Sequence, residues 1–135
     1  MDTHVFIVIP MIKKKVILLD HDLSCLDLMQ IMMSELDFES YPFSSWESRT
    51  IQDFITIRPD LIILDQRLIG SRGPDICLIL KSVNQLRHVP IILASESEEL
   101  EAAARKCSAD GYIEKPYNMA EIEKMVQWFD ESVKY

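Results

Sequence analysis

A run of apolar residues that ends in an acid, LIILD at residues 61–65, is the most informative stretch of this sequence. Four consecutive apolar side chains suit a strand that is covered on both faces, which is the situation inside a parallel sheet. Similar runs occur as VILLD at 16–20 and PIILAS at 90–95, and weaker strand patterns lie at 38–41 and 110–114. These five segments predict five strands, most of them buried.

Between the predicted strands, apolar residues recur three and four positions apart, which is the spacing of one buried helix face. The predicted faces are Cys25, Leu28, Met29, Met32 and Leu36; Ile51, Phe54 and Ile55; Ile76, Ile79, Leu80 and Val83; Leu100, Ala103, Ala104 and Cys107; and Met119, Ile122, Met125, Val126, Phe129 and Val133. Ser24 with Asp27 and the pair Ser44–Glu47 form cap signatures for the first two helices. Five strand–helix repeats imply right-handed crossovers, and therefore an α/β fold with a parallel sheet and helices on both faces.

Composition limits the class of protein. The 135 residues predict one domain, and 14 Lys+Arg against 22 Asp+Glu give a net charge of −8, which argues against a general nucleic-acid-binding surface. Three widely spaced cysteines without a CxxC pair indicate thiols in a reducing, cytoplasmic compartment. The apolar run Val5–Ile12 is too short to span a bilayer, and its basic residues follow it, unlike those of a signal peptide. We predict an N-terminal extension over residues 1–12 and one domain over 13–135, with neither nucleic acid nor a membrane as a direct partner.

Polar side chains follow four of the predicted strands at the point where each strand ends. Asp20 and His21 follow the first strand, Asp65 the third, Ser95 the fourth and Lys115 the fifth. In an open α/β sheet, ligands bind beyond the carboxyl ends of the strands. Two carboxylates there can hold a hard cation, and a lysine and a hydroxyl can bind phosphoryl oxygens. The set suggests metal-assisted phosphoryl transfer to or from an aspartate.

Each of these residues also has an ordinary structural interpretation. Asp20 or Asp22 can cap the following helix, an assignment that we favour for Asp22, and Ser95 or Ser97 can cap the helix after the fourth strand. Asp65 can be a turn residue, and the lysine a solvated surface residue. Their occurrence at successive strand ends favours a shared site over these separate explanations.

From about residue 13 to the C-terminus, the chain resembles a response-regulator receiver domain of two-component signalling. The resemblance rests on VILLD at 16–20, PDLIILD at 59–65, the Gly70 that follows, PIILAS at 90–95 and ADGYIEKP at 109–116. The fold that it implies is a flavodoxin-like, doubly wound sheet of five parallel strands in the order 2-1-3-4-5. The function that it implies is phosphorelay signalling by a phosphoprotein, rather than turnover by an enzyme.

The resemblance also implies roles for individual residues. Asp65 would accept a phosphoryl group from a phosphohistidine on a sensor histidine kinase or a phosphotransfer protein. Asp20, Asp65 and the backbone carbonyl of Arg67 would hold Mg²⁺. Lys115 would pair with Asp65 and then with the phosphoryl oxygens, and its bond to Pro116 would be cis.

A switch is implied as well. Ser95 would turn towards the phosphoryl group and Tyr112 would follow it inward, changing the surface formed by the fourth helix, the fifth strand and the fifth helix. That surface would contact a downstream protein target or a second copy of the chain as a homodimer. Because no output domain follows the fifth helix, we expect a single-domain regulator or a fragment of a longer one.

Three positions depart from the family pattern. His21 replaces the second acid of the metal-binding pair, and imidazole is a poorer ligand for Mg²⁺ than carboxylate, so His21 is a doubtful ligand. Glu96 stands where a small residue usually leaves access to the phosphoryl group, and Ile69 replaces a proline. Two hypotheses follow: a working receiver with weakened Mg²⁺ affinity, or a pseudo-receiver that acts only as a protein-interaction module. Asp65, Ser95 and Lys115 together favour the working receiver.

An enzyme is the rival from another class. The stretch DHDLS at 20–24 resembles the opening of haloacid-dehalogenase-type phosphatases, in which Asp20 would be the nucleophile and Asp22 the general acid. Such enzymes need a late acidic pair for Mg²⁺, which is missing near Asp110, and they are typically longer than this chain. That interpretation also gives Asp65 no role, so we favour the receiver.

Overall fold

The computed structural model describes residues 12–68 and 70–132. Within these ranges the strands of the main sheet are β1 (Lys14–Leu19), β2 (Phe38–Phe43), β3 (Leu61–Asp65), β4 (Ile91–Ser95) and β5 (Gly111–Glu114). The helices are α1 (Leu23–Glu35), α2 (Thr50–Ile57), α3 (Gly73–Ser82), α4 (Leu100–Lys106) and α5 (Met119–Ser132). A separate antiparallel hairpin, Arg67–Leu68 with Ser71–Arg72, follows β3.

The five main strands form one parallel sheet in the order β2-β1-β3-β4-β5. This confirms the flavodoxin-like, doubly wound arrangement predicted from the sequence. The register places Leu19 beside Leu64, Asp65 beside Ala94, and Ser95 beside Glu114. Because the strands are parallel and in register, their carboxyl ends meet at one edge of the sheet.

Two apolar clusters cover the two faces of the sheet. One joins α2, α3 and α4 to Ile17 and Leu19 of β1, and the other joins α1 and α5 to Val16 and Leu18. Successive strand residues point to opposite faces, so a continuous apolar run supplies both clusters. All four of these side chains are at most 2% exposed, which explains why the sequence shows no polar alternation here.

Two predicted helix caps are corrected by the structure. The N-cap of α1 is Asp22, whose carboxylate accepts the N–H groups of Ser24 and the next residue. This confirms the capping role favoured for Asp22 and shows that the Ser24 signature is wrong. Helix α2 begins at Thr50, so the capping box at 44–47 is also wrong. There the Thr50 hydroxyl accepts the N–H of Glu47, which forms a turn before the helix.

The buried faces of α1 and α3 differ from the predicted ones. In α1, Leu28 is 41% exposed, whereas Leu26 and Met33 are buried. In α3, Ile79 is 40% exposed, and Cys77 is fully buried in its place. Both helices carry apolar residues around much of their circumference, so spacing alone does not identify the face that packs.

Several predictions fall on residues outside the described ranges. These are residues 1–11 of the predicted extension, Ile69, and Val133 of the last helix face; the domain boundary at residue 13 stays a prediction. Among the helices of the described ranges, none is long and apolar enough to cross a membrane. Cys77 and Cys107 are buried free thiols and Cys25 is partly buried.

Candidate functional site

The carboxyl edge of the sheet opens into a cleft of about 500 Å³. It is lined by His21, Asp22, Cys25, Asp65, Arg67, Ser95, Glu96, Ser97 and Lys115. Asp20 is buried behind this lining, with 5% of its surface exposed, and its carboxylate contacts Lys115. The structure therefore brings together every predicted site residue except Tyr112.

A buried lysine joins the two aspartates. Lys115 Nζ donates to Asp20 Oδ2 at 2.6 Å and lies 3.3 Å from Asp65 Oδ1. The three side chains are only 6–7% exposed. One positive charge thus faces two negative charges in a poorly solvated place, where unpaired charges are costly. The Lys115–Pro116 peptide bond is cis, as the resemblance implies.

The pKa values of Asp65 and Lys115 are both raised, for different reasons. Burial and the neighbouring Asp20 carboxylate raise the pKa of Asp65, and Lys115 counteracts them only in part. For Lys115, burial acts to lower the pKa, yet the hydrogen bond to Asp20 and the charges of both aspartates raise it above its usual range. The ammonium is therefore held firmly in its charged form, and Asp65 ionises less readily than an exposed aspartate.

His21 approaches Asp65 from the cleft side. Its Nδ1 lies 3.1 Å from Asp65 Oδ2 and 2.9 Å from the backbone carbonyl oxygen of Arg67. A carbonyl oxygen can only accept, so a hydrogen bond to Arg67 places the hydrogen on Nδ1. In that state the ring N–H bridges the two groups that the resemblance assigns to Mg²⁺.

The donor set partly fits a divalent cation. Ligand atoms of Asp20, His21 and Asp65 lie within 4.8 Å of one another. The carboxylates and the Arg67 carbonyl are the oxygen ligands that Mg²⁺ prefers, whereas the imidazole is not. Asp22 does not complete the set, because its carboxylate caps α1. The N–H groups that it accepts from Cys25 and Ser24 lower its pKa.

Ser95 and Glu96, at and just after the end of β4, also line the cleft. Ser95 is 6% exposed, and its hydroxyl oxygen accepts the N–H of Ser97 at 3.0 Å. Neither serine caps α4, whose N-cap is Glu99 and has no side-chain cap bond; the hydroxyl of Ser97 accepts the N–H of Glu99 before the helix. Glu96 is exposed at the cleft, so an acidic side chain does stand at the entrance.

Tyr112 lies apart from the cleft. Its side chain is 45% exposed, and it lines a separate surface groove of about 580 Å³ with Trp128 and Met125 of α5. An exposed Tyr112 differs from the inward position that the resemblance associates with the switched state. The sequence cannot distinguish these two positions, because the same residue serves both.

Two residues that support the site were not singled out from the sequence. Gly73 donates its N–H to the Gln66 carbonyl at 2.8 Å, and a Cβ built on it would stand 2.3 Å from the Asp65 carbonyl oxygen. Tyr117 places its ring 6.0 Å from Lys115 Nζ, and burial raises its pKa. The sequence shows a glycine eight residues after Asp65, but its role becomes clear only because α3 approaches the Asp65 backbone closely.

The raised pKa of Asp65 gives a prediction for stability against pH. Since folding raises this pKa, ionised Asp65 destabilises the fold above the folded-state pKa, and this cost disappears below the unfolded value of about 3.9. Asp65→Asn should therefore raise the Tm at pH 7, and the gain should shrink as the pH falls towards 4. Thermal melts across this range, with the exposed Asp53→Asn as the matched control, test this; a lower Tm for Asp65→Asn at pH 7 would contradict it.

The chain is similar in sequence to a known response regulator and to a known sensory transduction protein. The chain is 25% identical over 117 residues to the DNA-binding response regulator MtrA of Mycolicibacterium paratuberculosis, covering 85% of this chain and 50% of that protein. It is 24% identical over 115 residues to the sensory transduction protein BceR of Halalkalibacterium halodurans, covering 84% and 48%. The chain thus spans about half the length of these curated relatives.

Solved structures show the same fold. The chemotaxis protein CheY4 of Vibrio cholerae superposes with a TM-score of 0.77 at 20% identity, over 87% of this chain and 99% of that one. The receiver domain of sensor histidine kinase PA1611 from Pseudomonas aeruginosa, described with a magnesium ion coordinated in its active-site cleft, gives a TM-score of 0.75 at 20% identity, over 87% and 98%.

A family profile described as the response regulator receiver domain matches residues 16–127. That range runs from β1 into α5 and includes every residue of the cleft. The phosphatase interpretation, by contrast, assigned no role to Asp65, which is buried at the centre of the site. The chain belongs to the response regulator receiver domain family, the signalling modules of two-component systems.

Proposed function

We propose that this receiver domain accepts a phosphoryl group on Asp65 from a phosphohistidine of a sensor histidine kinase or a phosphotransfer protein. The observation that carries the proposal is the position of the Asp65 carboxylate. It lies in the wall of an open cleft, between Lys115 at 3.3 Å and His21 at 3.1 Å. The free cysteines support a cytoplasmic site of action.

The transfer needs few groups. An Asp65 carboxylate oxygen forms the new O–P bond, the P–N bond to the donor imidazole breaks, and the leaving nitrogen takes a proton from solvent. Lys115 holds its charge in a poorly solvated place, where it stabilises negative charge on the phosphoryl oxygens better than it would in water. Ser95 and Ser97 supply further polar groups in the lining of the cleft. The chain itself therefore orients and stabilises the transferred group, without turning over a substrate.

A divalent cation belongs to this proposal. Asp20, Asp65 and the Arg67 carbonyl would hold Mg²⁺, which when bound offsets charge among the acceptor and the phosphoryl oxygens. His21 supplies no oxygen ligand, and its Nδ1 lies 2.9 Å from the Arg67 carbonyl. We therefore expect weaker Mg²⁺ binding than a second acid would give.

Phosphorylation adds nearly two negative charges beside Ser95. In the proposed switch, Ser95 turns towards the phosphoryl group and Tyr112 moves inward from its 45% exposed position. The surface formed by α4, β5 and α5 then changes, and we propose it as the contact for a downstream protein target or a second copy of the chain. Nucleic acid is not a direct partner of the proposed surface, whose groove includes Glu114 and Glu121.

A pseudo-receiver is the second candidate, and one observation favours it. The Nδ1 of His21 bridges Asp65 Oδ2 and the Arg67 carbonyl, which satisfies both groups without a cation or a phosphoryl group. Glu96 at the entrance adds a charge that repels an anionic donor. In this alternative the domain acts only by binding other proteins.

Intact-mass measurement separates the two candidates. The chain is incubated with acetyl phosphate, with and without Mg²⁺, beside Asp65→Asn and the exposed control Asp53→Asn. We expect one phosphoryl group on the wild type and on Asp53→Asn, dependent on Mg²⁺, and none on Asp65→Asn. No gain under any condition would overturn the acceptor proposal in favour of the pseudo-receiver, whereas gain on Asp65→Asn would place the acceptor elsewhere.

A further inference from the structure

We propose that the Asp20–His21–Asp65 site prefers an imidazole-binding transition-metal ion, of the class of Co²⁺ and Zn²⁺, over Mg²⁺. The inference rests on the cation site of the proposed function and deepens it by naming the class of ion. It makes His21 a metal ligand through Nδ1, rather than a passive replacement for an acid.

The spacing of the donor atoms is the first support. His21 Nδ1 lies 2.9 Å from the Arg67 carbonyl oxygen, 3.1 Å from Asp65 Oδ2 and 3.8 Å from Asp20 Oδ1. Adjacent ligands of an octahedral ion with bonds of about 2.1 Å are about 3.0 Å apart, and those of a tetrahedral ion are slightly farther apart. The distances from Nδ1 to the Arg67 oxygen and to Asp65 Oδ2 thus match those between adjacent ligands of one ion.

The buried lysine does not compete for the same atoms. Lys115 contacts Asp20 Oδ2 and Asp65 Oδ1, whereas the oxygens nearest to His21 are Asp20 Oδ1 and Asp65 Oδ2. Each carboxylate thus has one oxygen on the lysine and one on the imidazole side. An ion at the imidazole side leaves both lysine contacts in place.

The chemistry of the donors sets the preference. Mg²⁺ takes hard oxygen ligands, whereas neutral imidazole suits Zn²⁺ and its first-row neighbours. Without metal, the hydrogen on Nδ1 bridges Arg67 and Asp65. With metal, that hydrogen must leave Nδ1, which the other ring nitrogen or the solvent can take up. His21 is about 44% exposed, so the ring has access to solvent for this exchange.

The test is a comparison of selectivity rather than of one affinity, because oxygen sites also bind Co²⁺ more tightly than Mg²⁺. Calorimetric titrations of the unphosphorylated chain with Co²⁺ alone and Mg²⁺ alone give the ratio of their dissociation constants. His21→Asp should lower the preference for Co²⁺ by at least about tenfold and tighten Mg²⁺ binding. His21→Gln, which removes the imidazole without adding charge, should weaken Co²⁺ binding.

A second measurement reports on the ligand itself. Zn²⁺ should shift the ¹⁵N resonance of His21 Nδ1 and leave that of exposed His88 unchanged. An unchanged selectivity ratio in His21→Asp, or a shift no larger at His21 than at His88, would overturn the inference. Because no phosphodonor is present, these results are independent of the mass experiment. Phosphoryl gain with a Co²⁺ preference that does not depend on His21 overturns only this inference, and a Co²⁺ preference that depends on His21 without phosphoryl gain overturns only the acceptor proposal.

Discussion

Replacing Lys115 with methionine should lower the free energy of unfolding by about 3–5 kcal/mol, because it leaves two carboxylates buried without their positive partner. Asp20 and Asp65 are each 5% exposed, so water cannot replace the ammonium without a rearrangement. Methionine retains most of the apolar length of the lysine, so packing changes little and the loss reports mainly on charge. Urea denaturation at pH 7 measures it.

An exposed ion pair of the same length provides the matched control. Lys14 Nζ lies 2.6 Å from Asp130 Oδ1, as close as Lys115 lies to Asp20, but its side chain is 43% exposed. Lys14→Met should therefore cost at most about 1 kcal/mol. If both variants lost the same stability, burial would not be the cause, and the interpretation of the site as a charge cluster would fail.

A double variant isolates the electrostatic part. Adding Asp20→Asn to Lys115→Met removes one of the two unpaired charges, so we expect the double variant to be more stable than Lys115→Met alone. The coupling between neighbours in such a cycle is typically about 0.5–3 kcal/mol. An additive result would indicate that the lysine stabilises the fold by packing rather than by charge.

Gly73→Ala should lower the free energy of unfolding by about 1–3 kcal/mol, the usual cost of overpacking. At most compatible positions this change stabilises a protein slightly, by about 0.4–1 kcal/mol, so the sign itself is informative. A Cβ at this position would stand 2.3 Å from the Asp65 carbonyl oxygen and 2.9 Å from the Gln66 Cα. Both are backbone atoms of the segment that carries the candidate acceptor, so the segment must shift.

Gly111 in β5 serves as the control for Gly73. A Cβ there would meet only the end of the Ile92 side chain, at 2.9 Å, and a flexible side chain moves more easily than backbone. Gly111→Ala should therefore cost less in urea denaturation than Gly73→Ala. We also expect Gly73→Ala, but not Gly111→Ala, to slow phosphoryl gain from acetyl phosphate. Equal stability losses would show that the approach of α3 to Asp65 is not a tight constraint.

The central strands of the sheet could be predicted because each one contains a short, continuous run of apolar residues. Residues 16–19 and 61–64 are apolar without interruption, and only a strand covered on both faces requires this. Because the predicted strands are parallel, Asp20, Asp65, Ser95 and Lys115 at their carboxyl ends are expected at one edge of the sheet. No further information is needed for this prediction. The gathering of the site thus followed from topology, although its members are up to 95 residues apart in sequence.

The details that depend on packing and orientation could not be predicted in the same way. The start of α2 at Thr50 depends on a turn through the Glu47 N–H, and several polar residues upstream offered equally good caps. The direction of the His21 ring and the role of Gly73 depend on distances between elements that are remote in sequence. A pattern of residue types contains no information about such distances, so these features are visible only in the folded structure.

The shared ammonium of Lys115 has a consequence for any anion that enters the cleft. Asp65 and Lys115 line the cleft, whereas Asp20 is buried behind its lining. An incoming anion therefore contacts Lys115 but not Asp20, whose Oδ2 lies 2.6 Å from the ammonium. If the ammonium moves towards the anion, its contact with Asp20 becomes weaker. The affinity of the cleft for anions is therefore set in part by a carboxylate that the anion does not touch, because Asp20 competes with it for the charge of Lys115.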